Sequence, residues 1–279
     1  MSLNCYVIKF IFYFFLSFCF NEGSEWTKLP QRFNQIDTGL TTDAWAVDSQ
    51  NIIYAIDKGK WKKTPGRLIH VSIGESGVWG VNRGNAIYYR LRVSAKRPTG
   101  TTWKRIPGRL KQIDSGPRGI VCGVNKGDFI YCRNKITPTR KYGSGWKKVP
   151  GKLKYISCGE YGNWGVNRVN NIYFRLGVSR SKPEGIKWRR IRGPKLVQIE
   201  AGQYGQVWGV DARGGMYVRV GVTENRPYGR AWKKIKSRTL WARVTTGIGA
   251  LYGVDKFGSV YKGSAGAVGG KRPLVRYYN

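Results

Sequence analysis

Short segments in which hydrophobic and polar residues alternate recur along the chain. Clear examples are residues 68–74 (L-I-H-V-S-I-G), 153–159 and 196–202. An alternation of period two is typical of a half-buried β-strand. No long segment of helical period interrupts these runs, and the 38 Gly, 11 Trp and 17 Tyr favour strands joined by tight turns. The pattern therefore predicts an all-β protein.

Six copies of one motif divide the chain into repeats. Each copy starts with a tryptophan and continues into a basic segment and a tight turn, as in W-K-R-I-P-G from residue 103. The six tryptophans stand 35 to 44 residues apart, at Trp26, Trp61, Trp103, Trp146, Trp188 and Trp232. A period near 42 residues with about four strands per repeat is typical of propeller blades. The repeats predict a six-bladed β-propeller with four-stranded blades over residues 24–262.

The phase of the repeats predicts how the ring closes. Each tryptophan strand follows the last strand of the preceding repeat, so we expect it to be the outermost strand of the preceding blade. The first tryptophan strand, around Trp26, would then complete the last blade. This arrangement closes the ring with the N-terminal strand and leaves no exposed sheet edge at the junction.

A second side chain recurs once per repeat, directly before a Gly-Val-Asn, Gly-Val-Asp or Ala-Val-Asp segment. Hairpin pairing places it opposite the residue ten positions later: Trp45 with Ala55, Trp79 with Tyr89, Cys122 with Cys132, Trp164 with Phe174, Trp208 with Val218, and Tyr252 with Lys262. One repeat has a cysteine pair where others have aromatic residues. Because a disulfide can replace packing but not sugar stacking, we expect these residues and the Trp26-type tryptophans to pack between blades.

Both ends of the chain fall outside the repeats. Residues 10–20 form an apolar run that is too short to span a bilayer unaided, and Ser17 and Cys19 suit a signal-peptidase site. We expect a signal peptide at residues 1–19, with cleavage placed to within about four residues, and an uncleaved signal anchor is the alternative. Residues 263–279 predict a basic, Gly-rich C-terminal tail, and no membrane span is expected in the mature chain.

Three cysteines follow the predicted leader. Cys122 and Cys132 lie opposite each other in a predicted hairpin, at a separation that a disulfide can bridge. We therefore predict a Cys122–Cys132 disulfide in an oxidising compartment. Cys158 remains as either a buried free thiol or an intermolecular link.

Composition argues against catalysis and for an anionic partner. The chain has 50 Lys and Arg against 15 Asp and Glu, a formal net charge of +35. Its one histidine, His70, excludes His-based triads and two-His zinc sites, and no calcium loop, P-loop or dinucleotide fingerprint occurs. We therefore expect a non-enzymatic protein without cofactor or metal; an enzyme built on a propeller scaffold is the alternative.

The motifs in combination resemble the tectonin family, which includes secreted fish egg lectins and the horseshoe-crab plasma lectin that binds bacterial lipopolysaccharide. The resemblance lies in W-x-x-[IV]-P-G-x-L, in G-V-W-G-V-N-x-x-x-x-I-Y-x-R and in the linker at residues 219–229, and it covers about residues 25–262. It implies a six-bladed propeller that recognises sugars, chiefly N-acetylglucosamine, or lipopolysaccharide. It also allows calcium dependence, for which this chain offers few carboxylates. The first repeat departs from the pattern because it lacks the long linker, and the positive charge is extreme.

Loops are the expected place for binding residues, because they vary while the strands repeat. Turns after the first and third strands of each blade face one side of the propeller, here called the first rim, and the other turns face the second rim. The second rim is predicted to carry a ring of eleven cations, here called the cation ring: Arg32, Arg67, Arg83, Arg109, Lys126, Lys152, Arg168, Lys195, Arg213, Arg238 and Lys256. Such a ring would bind phosphates or sulfates. A solvated basic surface is the alternative, since the first rim is basic too.

Two tyrosine–amide pairs on the first rim are the candidates for neutral sugar binding. Tyr161 with Asn163 and Tyr204 with Gln206 each combine a stacking surface with an amide. We expect a secreted, multivalent lectin for microbial or egg-surface glycans such as lipopolysaccharide, acting in agglutination or innate defence. The alternative is an extracellular matrix or polyanion-binding protein that binds sulfated glycans or nucleic acid through charge, without reading nucleic-acid sequence.

Overall fold

Six four-stranded antiparallel sheets make up the part of the protein that the structure describes. The computed structural model describes residues 26–39, 44–247 and 250–263. These residues form strands β1 to β24 and two single-turn 3₁₀ segments, Pro117–Gly119 and Gln203–Gly205. The predicted signal peptide and residues 264–279 of the predicted tail lie outside the described residues. The all-β, six-bladed architecture is confirmed.

Each blade follows the chain from its innermost to its outermost strand. Blade 1 contains β2 (Gln35–Thr38), β3 (Ala44–Val47), β4 (Ile52–Asp57) and β5 (Lys60–Arg67). Blade 2 contains β6 (His70–Gly74), β7 (Gly77–Val81), β8 (Ala86–Arg90) and β9 (Trp103–Arg109). Blade 3 contains β10 (Gln112–Ser115), β11 (Val121–Val124), β12 (Phe129–Arg133) and β13 (Trp146–Lys152).

The other three blades repeat this order with one difference. Blade 4 contains β14 (Tyr155–Gly159), β15 (Gly162–Val166), β16 (Ile172–Leu176) and β17 (Lys187–Ile191). Blade 5 contains β18 (Leu196–Ala201), β19 (Val207–Asp211), β20 (Met216–Val220) and β21 (Ala231–Lys234). Blade 6 contains β22 (Trp241–Gly247), β23 (Ala250–Asp255), β24 (Ser259–Gly263) and, as its outermost strand, β1 (Trp26–Arg32).

The first and last strands of the described chain pair with each other. Trp26 lies opposite Gly263, and Lys28 lies opposite Tyr261. The N-terminal strand therefore completes the blade that the end of the chain begins, as the phase of the repeats predicts. Edge-to-edge pairing between the first and last described strands closes the ring without a covalent link.

The repeated large residues pack between the blades. The predicted cross-strand pairs are confirmed in all six blades. The ring of Trp103 lies 5.9 Å from that of Trp45 in the preceding blade, and Trp146 lies 6.2 Å from Trp79 in the same way. Trp103 also donates its indole N–H to the carbonyl oxygen of Pro65 at 2.8 Å. Trp146 and Trp188 donate to the carbonyl oxygens of Pro107 and Pro150 in the same way, so a directed hydrogen bond adds to packing where blade 1 meets blade 2, blade 2 meets blade 3 and blade 3 meets blade 4.

Blade 3 uses a disulfide where the other blades use packing. The predicted Cys122–Cys132 bond is confirmed and joins neighbouring strands β11 and β12. Cys158 is a free thiol that is completely buried, and burial raises its pKa well above the ordinary value. A buried thiol of raised pKa is a poor nucleophile, so Cys158 is part of the core.

The described strands and short 3₁₀ turns leave little helix in the fold. No helix within residues 26–39, 44–247 and 250–263 has the length and apolar character that a membrane span requires.

Candidate functional site

The cation ring lies where the propeller topology places the second rim. All eleven of its side chains are exposed to solvent. Within the described parts of the chain, Arg168 is its only member in an ion pair, with 2.6 Å between its Nε and a carboxylate oxygen of Asp128. The other ten have no carboxylate partner there. Unpaired cations repeated around one face attract anions more strongly than isolated ones do.

Backbone carbonyl groups hold several ring arginines in place. Arg67 donates to the carbonyl oxygen of Gln50 at 2.7 Å, and Arg109 donates to that of Gly84 at 3.3 Å. In each case the acceptor lies in the turn between the second and third strands of the same blade. A guanidinium group has five N–H donors, so these contacts orient the side chain and leave donors for a ligand.

Three aspartates on the second rim stabilise turns by accepting hydrogen bonds from the backbone. Asp48 accepts hydrogen bonds from the backbone N–H groups of Gln50 and Ile52, at 2.9 and 2.8 Å. Asp211 and Asp255 hold the equivalent turns of blades 5 and 6 in the same way. Because their oxygens accept from the backbone, these carboxylates make no ion pair with the cation ring among the described residues.

Asp128 is the acidic residue that does pair with cations on this rim. It lies 2.6 Å from Lys111 and 2.6 Å from Arg168. Burial raises the pKa of Asp128, but the hydrogen bonds and charges of the two cations outweigh burial and leave the pKa below its ordinary value. One carboxylate between two cations leaves a net positive charge at this junction of blades 3 and 4.

The first rim brings the two candidate tyrosines to one junction. A Cβ atom on Gly205 would lie 2.8 Å from Cε2 of Tyr161, so the Tyr161 ring of blade 4 covers the turn of blade 5 that carries Tyr204. Both rings are partly exposed. Tyr204 has a left-handed backbone (φ 61°), as does Arg118 in the equivalent turn of blade 3. Seven other non-glycine residues of the described chain also have a positive φ, so this conformation marks a tight turn and does not by itself indicate a binding site.

The two candidate amides lie beneath this surface. Asn163 is buried and donates through Nδ2 to Sγ of Cys122 at 3.3 Å. Gln206 is buried and accepts a hydrogen bond from the hydroxyl of Thr246 at 2.9 Å. Both amides therefore bridge neighbouring blades, and only the tyrosine rings reach the surface. Sequence spacing alone does not distinguish these positions from exposed ones.

The charges of two carboxylates, Glu160 and Glu224, act on Tyr161. Burial raises the pKa of Tyr161, and the charges of Glu160 and Glu224 raise it further. Burial also raises the pKa of Glu160; Arg118 opposes this effect, while Glu75 and Glu224 add to it. Acidic groups disfavour an anionic ligand at this position. The Tyr161 region suits a neutral sugar, and the second rim suits an anionic one.

Four long loops on the first rim, at residues 91–102, 134–145, 177–186 and 221–230, are held by buried arginines of the third strands. Arg133 donates to the carbonyl oxygens of Tyr142 (2.9 Å) and Gly145 (3.1 Å) and lies 5.0 Å from the Trp146 ring. The equivalent arginines stack on the equivalent tryptophans in their blades: Arg90 on Trp103, Arg175 on Trp188 and Arg219 on Trp232. The arginine of the Ile-Tyr-x-Arg motif therefore anchors the loop that follows the third strand.

The innermost strands, which line the central channel, alternate in sequence from one blade to the next, and the motif of a single repeat does not reveal this alternation. Every second innermost strand carries a glutamine whose amide bonds the backbone of the next blade, as Gln35 does with both N–H and C=O of Val71 at 3.0 and 2.8 Å. The same strands carry three buried carboxyl groups: Asp37, Asp114 and Glu200. They line a cavity of about 20 Å³, room for about one water molecule. The recurring segments Q-I-D-T-G, Q-I-D-S-G and Q-I-E-A-G indicate this alternation in the sequence.

The channel carboxyl groups offer no metal centre. Among the residues that the structure describes, no three His, Cys, Asp or Glu side chains come together in an arrangement that could hold an ion. Burial raises the pKa of Asp37, of Glu200 and of Asp114, the last to about 8. The hydroxyl groups of Ser72 and Thr245 donate to Asp114 and Asp37, and burial favours the protonated form of all three acids.

Comparison with solved structures supports the propeller architecture. The β-propeller domain of Cps50 (Swd1) from Myceliophteria thermophila superposes with a TM-score of 0.53 at 7% identity, covering 85% of this chain and 98% of that one. Prp20p from Saccharomyces cerevisiae gives a TM-score of 0.53 at 12% identity, covering 84% and 73%. Identities this low support the fold alone.

Sequence comparison identifies similar proteins, one of which is named as a lectin. The chain is 34% identical to fish-egg lectin of Cyprinus carpio over 165 residues, which are 55% of this chain and 52% of the lectin. It is 36% identical to Tectonin-1 of Physarum polycephalum over 66 residues, 23% of this chain and 30% of that protein. The matches thus span about half or less of these relatives. The tectonin domain model matches residues 32–256, and the chain therefore belongs to the tectonin family.

Proposed function

We propose that this protein is a secreted, non-enzymatic lectin that binds microbial or egg-surface glycans, including N-acetylglucosamine-type sugars and lipopolysaccharide. Membership of the tectonin family and similarity to a fish-egg lectin support carbohydrate binding. The observation that carries the choice of anionic glycans is the cation ring, ten of whose eleven members have no carboxylate partner in the described chain.

The two rims would divide the recognition between them. The partly exposed rings of Tyr161 and Tyr204 supply stacking surfaces for a neutral sugar beside acidic groups. The cation ring supplies charge-assisted hydrogen bonds for phosphate or sulfate groups. Lipopolysaccharide carries both sugar rings and phosphates, so one molecule of this kind can engage either rim.

Repetition around the propeller would raise the strength of binding to surfaces. Weak sites that act together on an array of ligands gain avidity, without any single site becoming strong. The expected outcome on a cell or egg surface is agglutination, which fits a role in innate defence. A monovalent sugar should therefore bind much more weakly than the same sugar on a surface.

A second candidate function rests on charge alone. The net charge of +35 would suffice for binding to sulfated matrix glycans or nucleic acid without recognition of sugar rings. In that case the propeller would serve as a rigid carrier of cations. Salt dependence separates the two functions, because neutral-sugar contacts persist where phosphate-driven binding falls by about a thousandfold between low and moderate salt.

The deciding experiment is binding of the mature protein to immobilised lipopolysaccharide across a salt series, with free N-acetylglucosamine as competitor. A lectin should retain binding at high salt, and the sugar should displace it. The double variant Tyr161→Ala, Tyr204→Ala should then weaken sugar competition by about tenfold, as loss of stacking implies.

The matched control is Phe257→Ala, which removes an exposed aromatic ring from the second rim. It should leave sugar competition unchanged. Binding that disappears with salt and ignores the sugar would contradict the lectin proposal and support the polyanion-binding alternative.

A further inference from the structure

We propose that the second-rim halves of blades 2, 3 and 4 form an arc of three equivalent subsites for acidic sugars, meaning sugars that carry sulfate, phosphate or carboxylate groups. The equivalent positions of blades 1, 5 and 6 exclude such sugars. This inference rests on the proposed glycan binding and specifies where on the ring the acidic part is recognised.

Every blade has a tyrosine at the same position of its third strand. The six are Tyr54, Tyr88, Tyr131, Tyr173, Tyr217 and Tyr261. Each is partly exposed and packs against the hydrophobic cluster at its junction with the preceding blade. One part of each ring is therefore fixed by the core, while the remainder faces solvent.

An exposed cation lies directly opposite each tyrosine on the outermost strand. The cross-strand pairs are Tyr54 with Lys63, Tyr88 with Arg105, Tyr131 with Lys148, Tyr173 with Arg190, Tyr217 with Lys234 and Tyr261 with Lys28. Directly opposed residues on paired strands point to the same face of the sheet. The fold thus presents six copies of an aromatic hydroxyl beside a cation, the chemistry that an acidic sugar requires.

A third residue divides these six copies into two classes. In blades 1, 5 and 6 an aspartate lies at the end of the second strand or directly after it, and it accepts a hydrogen bond from the tyrosine hydroxyl. The oxygen–oxygen distance is 3.1 Å for Tyr54 and Asp48, 3.0 Å for Tyr217 and Asp211, and 3.3 Å for Tyr261 and Asp255. These three tyrosine hydroxyls are occupied, and each lies beside a carboxylate.

Asparagine takes the place of the aspartate in blades 2, 3 and 4. Oδ1 of Asn82, Asn125 and Asn167 accepts from the backbone N–H four residues later, at 2.9, 3.0 and 2.9 Å. Oδ1 of Asp48 makes the same contact with Ile52 at 2.8 Å, so the two residue types hold the same turn. The second side-chain atom is therefore a carboxylate oxygen in blades 1, 5 and 6 and an amide NH₂ in blades 2, 3 and 4.

This exchange changes what each position can bind. Beside an aspartate, an anionic ligand meets a like charge and a hydroxyl that is already donating. Beside an asparagine, it meets an amide donor. The hydroxyls of Tyr88, Tyr131 and Tyr173 make no hydrogen bond within the described ranges. Three donors of different kinds, a tyrosine hydroxyl, an amide and a cation, are therefore available together only in blades 2 to 4.

Cations converge most clearly in blade 3. The ammonium groups of Lys148 and Lys152 lie 4.4 and 4.8 Å from the centre of the same ring, Phe129. Lys148 and Lys152 both approach the Phe129 ring, so their like charges repel each other, and an anionic group that contacts both would relieve that repulsion. Asp128, which directly precedes Phe129 in the chain, already pairs with Lys111 and Arg168.

Two matched triple variants test the arc. The arc variant is Arg105→Gln, Lys148→Gln, Arg190→Gln; the control variant is Lys63→Gln, Lys234→Gln, Lys28→Gln. Both remove three exposed cations from the same strand position, so the net charge changes equally. Calorimetric titration with heparin fragments at constant salt should show at least about tenfold weaker binding for the arc variant and less than about twofold for the control.

A second pair of triple variants tests the asparagine or aspartate that distinguishes the two classes of blade. Asn82→Asp, Asn125→Asp, Asn167→Asp should weaken heparin binding at constant salt while the turns remain formed, since aspartate holds the same turn in the other blades. Asp48→Asn, Asp211→Asn, Asp255→Asn should strengthen it. Melting temperatures of all variants near that of the parent protein would show that the fold is intact.

The outcomes separate this inference from the proposed function. Equal losses in both cation variants, or no loss in either, would overturn the arc, because binding would then follow total charge or lie elsewhere. If the parent protein bound neither heparin nor N-acetylglucosamine oligomers, both the proposed lectin function and the arc would be contradicted. Retained binding of the neutral oligomers by the arc variant would show that only recognition of the acidic group was lost.

Discussion

At the scale of single residues, the core of this propeller departs from an ordinary apolar interior. Asp114 accepts hydrogen bonds from the backbone N–H of Cys158 at 2.6 Å and from the Ser72 hydroxyl at 3.4 Å, and it has no basic partner among the described residues. Burial, with the nearby charge of Asp37, raises the pKa of Asp114 to about 8. His70 shows the opposite effect: burial and then the charge of Arg243 lower its pKa to about 3. Both groups are stable in the core when neutral.

Below about pH 6.5, His70 takes up a proton on unfolding and so opposes the effect of Asp114. Stability should therefore fall as the pH rises from about 6.5 to about 8. In this window the folded protein keeps a proton on Asp114 that the unfolded chain has lost, so unfolding releases it and becomes easier by up to about 1.4 kcal/mol per pH unit. Asp114→Asn mimics the protonated acid and should flatten this dependence, measured by urea unfolding from pH 4 to pH 8.5.

Asp48→Asn is the control for that measurement, since the equivalent turns of blades 2 to 4 already carry asparagine. It should leave the slope against pH unchanged. An Asp114→Asn slope equal to that of the parent protein would mean that Asp114 does not hold its proton in the folded state.

At the scale of strands, close approach of the innermost strands decides which residues fit. Gly74 and Gly116 end or follow these strands at equivalent positions, where the backbone of the next blade lies against them. A Cβ atom on Gly116 would lie 2.1 Å from the carbonyl oxygen of Cys158, well inside van der Waals contact. The backbone conformation there is extended, so glycine is required by space and not by its dihedral freedom.

Gly116→Ala should destabilise the protein by at least about 2 kcal/mol, because blades 3 and 4 must separate to admit one methyl group. Gly84→Ala is the matched control: its new Cβ would approach nothing closer than 3.4 Å. Chemical denaturation of the two variants beside the parent protein measures the difference. Similar stabilities for both would contradict the tight junction at the channel.

At the scale of the whole molecule, two features act together: a ring closed by non-covalent pairing and a surface of one charge sign. Three of the acidic residues are buried in the channel, and three more hold turns of the second rim. Few acids are then left to balance the surface cations within a chain of net charge +35. Repulsion between the blades is opposed by the burial and hydrogen bonds at each junction.

Removal of the closing strand tests this balance. A chain lacking residues 1–32 leaves β24 with an unpaired edge and blade 6 with three strands. We expect a lower melting temperature and self-association through the free edge, measured by thermal unfolding and size-exclusion chromatography. A chain lacking residues 264–279 is the control. Equal behaviour of the two truncated chains would show that β1 is dispensable.

Residue types and their spacing predicted much of this molecule. The alternation of period two, the tryptophan repeat and the pairing of Cys122 with Cys132 depend on local geometry, so the strands, blades, ring closure and disulfide could all be derived from the chain. The cation ring could be placed on one rim because the turn order of a blade fixes which turns share a face. These are properties of neighbours along the chain or within one hairpin.

Contacts between blades were decided only by the tertiary structure. Asn163 and Gln206 look like surface amides in sequence, yet neighbouring blades bury both, because a blade's flank is covered by residues some forty positions away. The same holds for the channel acids and for the asparagine or aspartate beside each third-strand tyrosine. Burial and pKa depend on which groups from other repeats come close, and the sequence of one repeat does not contain that information.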